Sequence, residues 1–215
     1  MITLHGASAS PFVRKVLAAL ALKKLPHEQT QQMPFTEDLE FQKISPLGKI
    51  PALVDGDIDI CDSAVICEYL EDAYPDTPVY PTNPADKAKA RWLENYGDNV
   101  VAGLAAGIFF QRFMRPMAFK QDSDEELVEK IITKQLPPLL DYMETQVSEQ
   151  GFIFGDTMML ADVALVSPFI NASYASYEPD AERWPLFTAH IAKVKNHPAI
   201  APLLATEASM LGLNK

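Results

Sequence analysis

Cysteine is scarce in this chain: Cys61 and Cys67 are the only two among 215 residues. A chain of this length buries a core without cystine staples, so the scarcity excludes a disulfide scaffold and fits a reducing compartment. Basic charge is also short, with 18 Lys and Arg against 29 Asp and Glu and a net charge of −11. Nucleic acid is thereby excluded as a partner, because phosphate backbones call for a basic face, and anionic membrane surfaces are disfavoured. No apolar run is long enough for a bilayer; the longest, residues 100–110, is brief and rich in Gly and Ala. The opening MITLHGASASPF has neither a basic stretch nor a long apolar core, so no signal peptide is expected and the cytoplasm is the expected compartment. Repeats and low-complexity tracts are absent, which excludes a solenoid. His5, His27, His190 and His197 show no ligand spacing, so no metal is expected.

What is present reads as two parts. Residues 2–5 are short and β-prone, and from residue 11 to 24 Phe12, Val16, Leu17, Leu20 and Ala21 share one helical face. Pro26 ends that helix and residues 27–31 form a second strand; short links between strand, helix and strand imply a right-handed, parallel βαβ unit. A weak helix at 37–44 follows. Strands at 52–54 and 58–60 flank Asp55-Gly56-Asp57, an antiparallel hairpin signal. A helix over 63–73 closes the segment, with Val65, Ile66, Tyr69 and Leu70 apolar. The order β-α-β-α-β-β-α predicts an α/β domain with a small mixed four-stranded sheet and helices on both faces. Pro75, Pro78, Pro81 and Pro84 then stiffen a linker. Beyond it there is no strand signal, and helices at 86–115, 124–149, 160–174, 184–196 and 199–207 predict an all-α domain. The expected division is a domain at 1–78, a linker at 79–86 and a helical domain at 87–215.

Three clusters in the first part could carry chemistry. Ser8-Ala9-Ser10-Pro11-Phe12 lies where strand one meets helix one, and Ser followed by Pro is a strong helix-start signal. A helix start offers unpaired N–H groups and a positive dipole end, which attract an anion despite the net negative charge. A hydroxyl there either caps the helix or donates a hydrogen bond to a thiolate and lowers the thiol's pKa. Gly48-Lys49-Ile50-Pro51 immediately precedes a strand, where proline's missing N–H is tolerated; a cis Ile50–Pro51 bond would present the Ile50 backbone to a ligand. Asp62-Ser63 opens the next helix. Both are capping types, and together they could hold the ammonium and carboxylate of an amino-acid head group. The three clusters end three elements of one βαβ–ββα unit, at an edge of the kind where open sheets bind ligands.

On these residues the chain resembles the cytosolic glutathione transferases. LHGASASPFVRKVLAALALK is similar to that family's first strand and helix, and SPLGKIPALVDGDIDICDSAVICEYLEDAYP to its most specific stretch. In the second part GFIFGDTMMLADVALVSPF is similar to the family's folding motif and WPLFTAHIAKVKNHPAI to its C-terminal helix. The resemblance implies a thioredoxin-like glutathione-binding domain followed by a helical domain. It further implies a serine-type, bacterial-like enzyme that conjugates glutathione to a small hydrophobic electrophile, works as a homodimer and needs no cofactor beyond glutathione as co-substrate.

By the same resemblance Ser10 would stabilise the glutathione thiolate, with Ser8 two residues away as the competing hydroxyl. Ile50 before a cis Pro51 would pair with the cysteinyl backbone, Asp62 and Ser63 would hold the γ-glutamyl end, and Lys49 would reach the other carboxylate. Serine cannot form a mixed disulfide, so glutaredoxin-like chemistry is not expected, and Cys61 and Cys67 stand as bystanders. Phe109, Phe113 and Tyr174 are candidates for the electrophile pocket, or else core. Two departures stand out. Met159 occupies the position where the folding motif has Ser or Thr as a helix cap. Glu37 and Asp38 stand near the place of a basic residue that holds the glycine end. The rival readings are a non-catalytic protein-binding regulator like the stringent-starvation proteins, and an isomerase of the maleylacetoacetate type, whose Ser-Ser-Cys cluster this chain lacks.

Overall fold

The computed structural model describes residues 1–213 and resolves two compact units. One comprises Met1–Thr82 together with the residues from 198 onward; the other is Asn83–His197.

The first unit is built on β1 (Ile2–His5), β2 (His27–Thr30), β3 (Ala52–Asp55) and β4 (Ile58–Cys61), in the order β2-β1-β3-β4. β1 runs parallel to β2, and β3 is antiparallel to both β1 and β4. Helix α1 (Pro11–Leu22) is the parallel crossover, and α3 (Ser63–Ala73), which follows β4, packs against it. Ile2 and Leu4 alternate with half-buried Thr3 and His5, so one face of β1 is the core face. Leu4 pairs across the sheet with Leu53, and Val13, Val16, Leu20, Ile66 and Leu70 complete the core. Each such side chain contributes roughly 1.5–3 kcal/mol of burial free energy. The short α2 (Leu39–Ile44) covers the opposite face, where Phe41 meets the His5 ring at 6.2 Å between centroids.

α1 stops two residues before the sequence pattern predicts. Lys24 is left-handed (φ 57°), its N–H reaches Ala21 C=O, and the Leu25 N–H reaches Leu20 C=O. That double bond closes the helix in a Schellman turn ahead of Pro26, with lysine in a place usually held by glycine.

The proline-rich segment is anchored rather than a free spacer. Glu71 accepts from the Val79 N–H at 3.0 Å and pairs with Lys23 at 2.8 Å, while Lys23 also donates to the Tyr74 and Thr77 carbonyls. Val79 and Tyr80 are buried, and the unit extends to Thr82. The division at 79–86 and 87–215 therefore differs from the structural one at its far end as well. α10 (Ala201–Met210) belongs with the sheet, because Glu207 forms a fork with Arg14 of α1 (Nε–Oε1 2.8 Å, Nη2–Oε2 2.6 Å), both 0% exposed.

The second unit is helical. α4 (Pro84–Tyr96), a π-helical turn at Gly97–Val101, α5 (Ala102–Phe109) and a π-helical stretch at Phe110–Phe119 form one continuous rod. It is longer than the predicted 86–115 at both ends. Asn83 caps the start by accepting from the Ala85 and Asp86 N–H groups, and Pro116 lies within the closing π stretch, which tolerates its missing N–H. Gly97 is required by packing, since a Cβ there would fall 2.6 Å from the Ala164 carbonyl oxygen. The predicted 124–149 helix is α6 (Glu125–Lys130), a π turn at Ile131–Gln135 and α7 (Leu136–Glu144), broken where Pro137 and Pro138 stand in tandem. α8 (Leu160–Tyr174) is buried nearly all round, and α9 (Pro185–Lys195) packs on it.

Asp162, 0% exposed, organises the start of α8. Its two oxygens accept from the Ile153 N–H (3.0 Å) and the Met159 N–H (2.8 Å), and His190 Nε2 lies 3.1 Å from Oδ1. Met159 sits at the cap with extended backbone (φ −123°, ψ 175°), so a thioether stands where a hydroxyl would accept strongly.

Candidate functional site

The strand register assembles the site. His5, the last residue of β1, pairs with Ala52, the first of β3, and Ala52 pairs with Cys61, the last of β4. The three segments that leave these residues, 6–10, 48–51 and 62–63, therefore emerge side by side at one edge of the sheet. Thr30, the last residue of β2, pairs with His5, so residues 31–36 emerge at the same edge.

Ser10 is the N-cap of α1, with extended backbone (φ −74°, ψ 130°), and Pro11 takes the first helical position. Its Oγ accepts from the Val13 N–H at 3.5 Å, the outer limit of a hydrogen bond. The hydroxyl is half-buried and only lightly engaged, beside the positive end of a twelve-residue helix. Ser8 differs. It is 3% exposed, its Oγ accepts from Gln29 Nε2 (3.0 Å) and Gln31 Nε2 (3.2 Å), and its N–H donates to Gln31 Oε1. Those two glutamines were not singled out in the sequence. Their only signal is Gln29's place on the inward side of β2, a polar residue on a strand facing the interior.

The second segment is held rigidly. The buried Ser45 donates its hydroxyl to the Lys49 carbonyl at 2.7 Å, and Gly48, left-handed at φ 62°, donates its N–H to the Ser45 carbonyl. The Gly48 carbonyl accepts from the Phe35 N–H at 2.6 Å, tying this turn to the loop after β2. The Ile50–Pro51 bond is cis. Ile50 lies beyond the last ladder pair of β3, so the sheet does not use its backbone. The Lys49 side chain is exposed.

At the third segment Asp62 is the cap and Ser63 the first residue of α3. Asp62 Oδ1 accepts from the Ala64 and Val65 N–H groups at 2.9 and 3.3 Å. Its backbone is left-handed at φ 80°, an uncommon conformation for a residue with a Cβ, and such positions concentrate at functional sites. Ser63 is buried behind it. His5, next to this edge, has its imidazole pKa pushed down by burial, partly opposed by Asp59.

In the helical unit Phe109 stacks on Phe113 (5.0 Å, 15°) and meets Tyr174 edge-on at 6.3 Å. The three sequence candidates thus form one cluster, with Phe109 as its buried member and the other two half-buried. Cys67 is buried in α3 and Cys61 ends β4; neither forms a disulfide. Among the described residues no helix is long and apolar enough to cross a membrane.

Known proteins share this architecture. The family described as "Glutathione S-transferase, N-terminal domain" matches residues 4–78, and "Glutathione S-transferase, C-terminal domain" matches 109–207. A glutathione S-transferase of Triticum aestivum is 31% identical over 86% of this chain and 84% of its own length. FtsZ-localized protein A of Caulobacter vibrioides is 26% identical over 94% of this chain and 90% of its own. The crystal structure of a glutathione S-transferase from Rhodospirillum rubrum F11 superposes with a TM-score of 0.84 at 26% identity, covering 95% of this chain and 92% of that one. The three converging segments and nearly all of the sheet fall within the first of these family matches, the later part of the helical unit falls within the second, and the chain belongs to the glutathione S-transferase family.

Proposed function

We propose that this protein is a serine-type glutathione transferase, in which Ser10 holds bound glutathione as its thiolate for attack on a small hydrophobic electrophile. The observation that carries the reading is the side-by-side exit of three segments from His5, Ala52 and Cys61. On this reading glutathione lies along that edge, antiparallel to the Ile50 backbone, with its γ-glutamyl end at Asp62 and Ser63. Its thiol meets the Ser10 hydroxyl and the start of α1, where the dipole and a directed O–H favour the ionised form. Ser10 is preferred over Ser8 because Ser8 is buried and turned inward onto Gln29 and Gln31, whereas Ser10 is half-buried at the start of α1. Catalysis is then a matter of ionisation and placement. Within the helical unit the aromatic cluster of Phe109, Phe113 and Tyr174 is the part proposed to take the electrophile, and Lys49 is the cation proposed for glutathione's other carboxylate.

A second reading, a protein-binding regulator on the same fold, draws support from the likeness to FtsZ-localized protein A. Turnover separates the two. Conjugation should appear against a panel of aryl halides, enones and epoxides. Ser63→Ala should raise KM for glutathione severalfold with little change in kcat, because the head-group contact is made equally in ground and transition states. Glutathione binding without turnover on any member of the panel would favour the regulator.

A further inference from the structure

Resting on the reading of Ser10 as hydrogen-bond donor to the thiolate, we propose that Gln29 is a positioning residue for that chemistry. Its side-chain amide grips the segment between β1 and α1, and so fixes the Ser10 hydroxyl relative to the Ile50 backbone, the two points between which the cysteine of glutathione would be held.

Gln29 pairs with Leu4 in the parallel ladder and lies on the inward side of β2. Its Nε2 carries two hydrogens, and the segment takes both. One goes to the Gly6 carbonyl at 2.8 Å and the other to Ser8 Oγ at 3.0 Å. Gly6 and Ser8 lie between β1 and α1, so neither bond belongs to a ladder or a helix. The residues on either side of this grip add to it: the Thr30 carbonyl accepts from the Gly6 N–H at 2.9 Å, and Gln31 Oε1 from the Ser8 N–H at 3.3 Å.

Gly6 is where the two halves of the site meet. A Cβ on it would fall 2.5 Å from Val13 Cγ2 and 3.5 Å from Ile50 Cβ. Val13 is the residue whose N–H the Ser10 hydroxyl caps, and Ile50 is the residue proposed to pair with the cysteinyl backbone. From the gripped residues to Ser10 the chain makes a single turn, closed by the Ser10 N–H on the Ala7 carbonyl at 3.0 Å. The hydroxyl therefore goes where the turn goes, and a misplacement of about 1 Å can cost a reacting arrangement on the order of a hundredfold. The charged groups of the adjoining elements are Arg14 and Lys15 of α1, His5 and Asp59 of the sheet, Lys49 before β3 and Asp62 before α3. A neutral substitution at position 29 alters none of them, so a change in the bound thiol reports where the Ser10 hydroxyl stands. An amide that merely satisfied the buried Gly6 carbonyl would instead cost stability when lost and leave the thiol unchanged.

The test is the pKa of bound glutathione, titrated by thiolate absorbance, beside steady-state kinetics with an aryl halide. Gln29→Met keeps the length and neutrality of the side chain but donates nothing. It should raise the pKa by about one unit and, at pH values below it, lower kcat about tenfold with the KM for glutathione little changed. In a Ser10→Ala background the same substitution should move the pKa no further, because its effect passes through the Ser10 hydroxyl. Ser8→Ala leaves the Gly6 carbonyl gripped and should keep the wild-type pKa. Should Gln29→Met fail to fold, Gln29→Asn withdraws the amide by one methylene and should shift the pKa in the same direction. An unchanged pKa in the folded position-29 variant, an equal shift with Ser10 replaced, a raised pKa in Ser8→Ala, or a loss confined to KM would overturn the role of Gln29. If instead the wild-type thiol shows no lowered pKa, or Ser10→Ala does not raise it, the Ser10 reading itself fails and takes the role of Gln29 with it.

Discussion

Ser8 and Ser10 are chemically identical and two residues apart, yet the fold gives them opposite situations. Ser8 turns inward onto Gln29 and Gln31, while Ser10 caps α1 through one long bond. The sequence marks Ser10 as a helix start through Pro11, but it cannot show that Ser8 is occupied, because the partners are 21 and 23 residues away. Asp62 is legible as a cap in the same way, whereas its left-handed backbone is imposed by the turn out of β4. Met159 is a residue whose departure from the capping pattern persists in the structure. Met158 before it and Val163 beyond are both buried at the staple positions, so the helix start is defined although its cap is poor. Met159→Ser should therefore stabilise the protein by about 0.5–2 kcal/mol, read as a raised midpoint in chemical denaturation. An unchanged midpoint would mean that the Asp162 bond to the Met159 N–H already suffices to fix the helix start.

At the scale of elements, the strand–helix order was readable because each piece carries its own period and its own stops. The π stretches were not: two lie at Pro116 and beside the Pro137-Pro138 pair, within otherwise continuous helical patterns, and the third, at Gly97–Val101, has no proline to mark it. A clamp between elements was equally hidden. Asp55, at the hairpin, accepts from the hydroxyls of Tyr69 (2.9 Å) and Tyr74 (2.5 Å), joining β3 to α3 and the residue that ends it. The Tyr74 phenol is pushed up to about 12, by that hydrogen bond first and by burial second. Its folded value lies above the unfolded value of about 10, so the clamp's contribution is complete below pH 10 and is lost as pH rises through 12. Denaturant melts on either side of this window should show the wild type losing stability. Asp55→Asn, which removes the carboxylate from the phenols, should lose less across the same window. Equal losses in the two proteins would show that the clamp is not what titrates.

For the whole molecule, the acidic composition argues against a nucleic-acid partner, and the three clusters mark the edge at which the proposed function places glutathione. What the sequence hid is the return of α10 to the sheet unit, because an arginine on a first helix gives no sign of a glutamate 193 residues on. The functional account rests on Ser10 making glutathione a thiolate, and the pKa of the bound thiol tests this most directly. Wild type, Ser8→Ala and Ser10→Ala should be saturated with glutathione and titrated by thiolate absorbance. The account predicts a lowered pKa in the wild type and in Ser8→Ala, and in Ser10→Ala a rise toward the free-thiol value of about 8.5, with glutathione still bound through Ile50, Asp62 and Ser63. A pKa in Ser10→Ala that stays at the wild-type value would contradict it.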